Sequence, residues 1–298
     1  MTSENVFSVA KKMGFWDGKE PFKFWKAYSG GNYFGEPKSF SIREYFILNA
    51  LAPSLKLSYD AEELPISVKP DKAVAVTDVM ALLRQTYEGT EWDMTKNLKV
   101  TTKNKETQKT DTLTSPAANP WMVTDMVSML NAVKPGTVTR NRLVSVPQCS
   151  YSHVIQLRSW LPDAVGGVAW LSFDNPGQSP RIPIFAGTTD LPVAFGICGQ
   201  HRHREDALIW KYRTANKLAT VRWGLTKDKI NGAVAHFEEK GLSEMPFVES
   251  RYKELQSSKG EEAARTFLTG YTADFAGATI LRWQEMADEF WKMFARGF

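Results

Sequence analysis

Two cysteines, four histidines and a scatter of arginines and carboxylates are the side chains of this 298-residue chain with catalytic potential. Cys149 has His153 four residues on, the types that a thiol nucleophile and its base require. The pair falls in a segment of strand-like composition, however. In a strand, residues four apart share a face but lie about 13 Å apart along it, too far for thiol and imidazole to meet. Cys149 therefore reads as a small buried residue. Arg158, at the end of the same segment, carries a planar fork that suits a carboxylate. That carboxylate is either a ligand's, in a cleft, or the side chain of Asp163 or another acid in a structural salt bridge, and the bridge is the simpler reading. His201 and His203 form a His-x-His pair with Glu205 and Asp206 nearby, but only His153 and His236 remain as further histidines. A solvated polar loop explains the pair better than a metal centre. No GxSxG elbow, HExxH, phosphate loop or CxxC pair occurs, so no complete catalytic constellation is visible and no cofactor is called for.

The elements that must position these residues centre on 149–187, CSYSHVIQLRSWLPDAVGGVAWLSFDNPGQSPRIPIFAG. Two β-rich runs, SHVIQLRSW and GGVAWLSFD, flank LPDAVGG, whose Pro162, Asp163, Gly166 and Gly167 suit a turn, so a hairpin is expected. NPGQSP supplies a second turn, and RIPIFAG a third strand whose Pro183 places it at an edge or bulge. The centre of the chain is thus an antiparallel β-meander. Upstream, helices are expected over 6–13, stopping at Gly14, and over 43–52, stopping before Pro53, with one helical turn around 22–28. An amphipathic helix is expected over 71–87, with Thr77 as its N-cap. Residues 99–121 are polar and read as a mobile loop or strand insertion. A short helix follows over 124–132, then a strand-like run over 137–150. From 206 to 298 four helical stretches, divided at Gly and Pro, carry apolar residues at spacings of three and four. Their apolar faces suit a coat over the sheet or a homo-oligomer contact.

Composition bounds the class. With 43% hydrophobic and 12% aromatic residues, the chain has ample material for a sizeable core, in one large domain or two. The 37 basic and 33 acidic side chains are spread along it, so no nucleic-acid footprint is indicated. No run of 18 apolar residues and no leader pattern occurs, so the residues indicate no membrane partner. Two cysteines cannot build a disulfide framework, though one bridge between strand ends fits.

The same segments carry a resemblance. Residues 150–192, SYSHVIQLRSWLPDAVGGVAWLSFDNPGQSPRIPIFAGTTDLP, resemble the late strands of the dipeptidase A family of cysteine dipeptidases, N-terminal nucleophile hydrolases with the secernins as distant relatives. Residues 73–98, AVAVTDVMALLRQTYEGTEWDMTKNL, are similar to that family's helix and YEGT-x-x-DMT signature, and 43–57, REYFILNALAPSLKL, to the segment before it. The similarity runs from about 7 to 220 and more loosely into the helical tail. It implies an α+β fold, part of an αββα sandwich, with 1–205 forming the C-terminal part of a dipeptidase-like domain and 206–298 a helical region packed on it.

The resemblance also implies a chemistry: hydrolysis of dipeptides by an N-terminal cysteine whose own α-amino group is its base, with no metal. This chain starts Met1-Thr2-Ser3, and the stretch 1–12 matches an interior family segment, so an N-terminal Thr2 nucleophile is the weaker reading. The expectation is that the chain is the C-terminal portion of the enzyme, silent alone, whose partner is a missing N-terminal segment. The alternative is a non-catalytic binding or assembly module. By resemblance Arg43 would support the nucleophilic cysteine, a nearby guanidinium favouring thiolate, unless it is a surface residue pairing with Glu44. Asp93 would grip the dipeptide's ammonium, or else tie a bent turn together with Thr90 and Thr95, while Arg158 would take the dipeptide's carboxylate. Where many members carry AGPFG, this chain runs KVTTKNKETQKTDTLTSPAANPW, so its substrate preference does not transfer.

Overall fold

A computed structural model describes residues 3–29, 41–103 and 105–296 of the chain. The chain divides into two compact units, Met1–Ala75 with Thr139–Leu143, and Val76–Val138 with Val144–Phe298. The reading of Thr2 as a nucleophile, and part of the glycine-rich stretch before α3, lie outside the described residues.

In the first unit, α1 (Val6–Lys12) ends just before Gly14, whose φ of 71° is the left-handed value that glycine adopts without strain. α2 (Phe24–Tyr28) is the expected single turn. Phe7, Trp16 and Phe22 pack edge to face, and the Tyr28 hydroxyl donates to the Val6 carbonyl at 2.6 Å. α3 (Ser41–Leu51) stops before Pro53 as expected. Asp71 accepts from the Ser54 amide and hydroxyl at 2.8 and 2.6 Å, which removes it from the helix expected at 71–87.

The second unit opens with α4 (Val76–Leu83), shorter than expected. Thr77 lies within its first turn rather than capping it. β1 (Lys99–Lys103) and β2 (Thr110–Thr114) pair as an exposed hairpin, so the polar insertion is a strand insertion. α5 (Thr124–Val133) follows. The strand expected over 137–150 does not form. Val138 is pinned to Asn131 of α5 through both its amide and carbonyl, and Pro147 interrupts the run, so no neighbouring strand is met.

The meander is present: β3 (Tyr151–Leu157), a one-turn α6 (Asp163–Gly166), β4 (Gly167–Phe173) and β5 (Ile182–Phe185), antiparallel in the order β3-β4-β5. Pro183 lies on the edge strand, where its missing N–H costs no ladder bond. α6 turns tightly enough that a Cβ on Gly166 would come within 2.8 Å of the Arg158 carbonyl.

α7 (Leu208–Val221), α8 (Trp223–Lys259) and α9 (Glu261–Met293) complete the unit, so position 205 marks a change of element type inside it. α8 runs unbroken for 37 residues, about 55 Å, through Gly232, Gly241 and Pro246, where sequence punctuation suggests separate helices. A proline inside a helix costs about 3 kcal/mol. The flanking Met245 and Val248 are buried in the core, and that burial offsets it. Only Gly260, at φ 88°, breaks the pair into an α8–α9 hairpin.

Strand alternation decides which face of the meander is covered. Val154, Val168, Trp170 and Phe185 face inward and join Met245, Val248, Tyr252, Ala264 and Leu268 in one core. Trp170 sits against Gly241 of α8, where an added Cβ would approach its ring to 2.9 Å. The helices are therefore a coat over the sheet. On the opposite face only β3 is uncovered, Tyr151, Ile155 and Leu157 being 58%, 54% and 77% exposed, while Ile182 of β5 on that face is buried.

Candidate functional site

The signature turn is built around Asp93. Tyr87 is wholly buried at φ 61°, and Gly89 at φ 80° lets the chain double back. One Asp93 oxygen accepts from the Gly89 amide at 3.0 Å, and the other from the Thr95 amide and hydroxyl, each at 2.7 Å. Thr90 donates to the Tyr87 carbonyl at 2.7 Å. The Asp93 carboxylate is thus the knot of its own loop.

Arg158 is 8% exposed and clamps the hairpin end. Its Nη2 donates to the Val165 carbonyl at 2.7 Å, its Nε to the Gly166 carbonyl at 3.3 Å, and its Nη1 pairs with Glu249 of α8. The salt-bridge partner is the helix acid, not Asp163. Arg43 lies in the first turn of α3, in the other unit.

Both cysteines are free thiols, so the bridge between strand ends does not form. Cys149 is half-buried rather than buried, and its thiol donates to the Tyr151 carbonyl at 3.1 Å. The His153 ring instead stacks beside Tyr151, at 6.1 Å between centroids. Burial pushes the Cys149 thiol pKa up, away from the thiolate a nucleophile needs. Cys198 is exposed. Iodoacetamide is expected to label Cys198 several-fold faster than Cys149, read by peptide mass spectrometry; faster labelling of Cys149 would show an activated thiol. His203 packs edge-on against Trp210 at 4.7 Å, and no cluster of three His, Cys, Asp or Glu side chains occurs among the described residues.

The turn at 174–181 carries more than its sequence suggests. Asp174, 1% exposed at φ 63°, accepts from Arg213 Nε at 2.6 Å and Asn216 Nδ2 at 2.9 Å. Asn216 Oδ1 accepts from Trp283 of α9 at 3.0 Å, and Gln178 donates to the Asn216 carbonyl at 3.1 Å. Asn175 Oδ1 accepts from the Ser145 hydroxyl at 2.6 Å. This satisfied buried network fixes the sheet end to α7 and α9. Arg213 and Asn216, three apart, share one face of α7.

Beside it opens a cleft of about 400 Å³ lined by Arg84, Glu88, Trp121, Trp223, Asn231 and Glu238, among others. Arg84 pairs with Glu238 of α8. Glu88, from the signature, accepts from Trp223 Nε1 at 3.2 Å and faces Lys227 at 3.5 Å. The Trp121 and Trp223 rings meet edge to face at 5.0 Å. One cation, two carboxylates and two indoles thus line the cleft, the cation already paired with Glu238. Arg84 and Glu238 are 154 residues apart, which hides the pair from sequence reasoning.

An α+β protein emerges, with an antiparallel meander coated on one face by helices and a polar cleft at its edge. The sequence model of Peptidase family C69 matches residues 1–236, and the chain belongs to that family. It is similar to a probable dipeptidase of Latilactobacillus sakei, 27% identical over 185 residues, which cover 62% of this chain and 32% of that protein. A probable dipeptidase of Salmonella dublin is 24% identical over 258 residues, 82% of this chain and 48% of its own. Probable dipeptidase B of Streptococcus pyogenes serotype M1 is 27% identical over 187 residues, 61% and 31%. The chain spans about a third to a half of the length of these curated relatives.

Proposed function

We propose that this chain is the scaffold portion of a cysteine dipeptidase, whose nucleophile is an N-terminal cysteine on a segment preceding residue 1 or on a separate chain. The exposed apolar strip along β3 carries the reading. Tyr151, Ile155 and Leu157 present an apolar strip at the β3 edge of a sheet whose other face carries the helices, and a second β-layer is what such a strip fits. Membership of Peptidase family C69 and the partial coverage of dipeptidases support it. So does the Cys149 thiol, which donates to the Tyr151 carbonyl and has a raised pKa.

In this reading hydrolysis begins when the upstream thiol, deprotonated by its own α-amino group, attacks the peptide carbonyl. The amine product leaves, and water releases the acyl group. Arg43 supports that thiol's anionic form. Asp93 and Arg158 act at one remove, locking the signature turn and the hairpin that wall the site.

Co-expression with an upstream segment bearing a processed N-terminal cysteine is expected to yield a complex that hydrolyses dipeptides. Iodoacetamide should abolish the activity and leave its adduct on that cysteine. A complex that forms without activity would sink the assignment.

A further inference from the structure

Arg181 stands immediately before β5, on the face that turns toward the helices. The Leu171–Ile182 pairing sets it level with Ser172 of β4, whose partner on β3 is Ser152. It is 0% exposed. Nη2 reaches the Ser152 hydroxyl only at 3.4 Å, and the buried Nε and Nη1 have no hydrogen-bond partner. Arg84 follows α4, which packs on β3, and it lies near enough for the Arg181 charge to disfavour its own. Its Nη2 is taken by Glu238, while its Nε is buried without a partner as well. Glu238 pairs with Arg84, and among the described residues no carboxylate is paired with Arg181, so the Arg181 charge has no direct counter-charge. A buried charge with unmet donors is strongly unfavourable unless something completes it.

We propose that Arg181, wholly buried and near the Arg84 that lines the cleft, is a receptor for a carboxylate. A planar monoanion matches both the single excess charge and the guanidinium geometry. A phosphate dianion would instead face repulsion from Glu88 and Glu238, which line the same cleft. The carboxylate comes either from the C-terminus of a short peptide seated in the cleft or from an Asp or Glu side chain of a segment outside this chain.

Formate is the probe, read as thermal unfolding of the 298-residue chain at constant ionic strength against chloride. Formate is expected to raise Tm in the wild type, with an apparent affinity at least ~tenfold weaker in Arg181→Met. The variant should itself melt above the wild type in chloride, having lost an unmatched buried charge. No formate-specific rise, or an equal rise in both proteins, overturns the receptor. If Arg181→Met does not fold, wild-type crystals grown in formate decide. A formate oxygen within hydrogen-bonding distance of Arg181 Nε or Nη1 supports the receptor, and only water there overturns it. Alanyl-alanine and its C-terminal amide separate the sources. Competition with formate by the free acid alone supports a peptide carboxylate, while formate binding without such competition supports a side-chain carboxylate. Because formate reports binding without turnover, failure of the dipeptidase reading would leave this result unchanged.

Discussion

Trp170→Ala is expected to lower stability by about 3–5 kcal/mol in urea unfolding, among the largest single losses the chain offers. The indole is wholly buried, donates to Gln156 Oε1 at 3.0 Å, and fills the space that Gly241 leaves on α8. The test is a cycle with Gly241→Ala. In the wild type the new methyl meets Trp170 at 2.9 Å and costs about 1–3 kcal/mol. In the Trp170→Ala background the clash is gone, and the better helix former is neutral or gains up to about 1 kcal/mol. A coupling of that sign shows that α8 packs on the sheet through the Trp170–Gly241 contact as well as through its buried Met245 and Val248; additive effects would deny that contact.

Arg158→Ala is expected to cost about 3 kcal/mol. It strands Glu249 and withdraws donors from the Val165 and Gly166 carbonyls at 2.7 and 3.3 Å. Pairing Arg158→Met with Glu249→Leu should restore stability to within about 1 kcal/mol of wild type, because both charges leave together. If Arg158 instead served a ligand, Arg158→Ala would leave stability nearly unchanged.

Much of the positioning framework was legible because its signals are local. Gly14, Pro53 and Gly260 end helices where they stand, and the alternation around Trp170 with the turn residues at 162–167 specifies the meander. What was not legible depends on partners far along the chain. Pro246 and Gly241 look like breaks, yet core packing carries α8 through them. Residues 137–150 have strand composition, but a strand needs a neighbour, and Asn131 claims Val138 first. In the candidate site, the bend at Gly89 and the local bonds of Asp93 could be foreseen. The Asp174–Arg213 and Arg84–Glu238 pairs could not, because spacing carries no information about carboxylate and guanidinium groups that meet only after folding.

The most direct test replaces both thiols of this chain. A Cys149→Ala, Cys198→Ala variant, assembled with the upstream segment, should hydrolyse dipeptides at the wild-type rate and lose all activity when the upstream N-terminal cysteine is changed to alanine. Hydrolysis by this chain alone, or its loss in the double variant of an intact complex, would contradict the account.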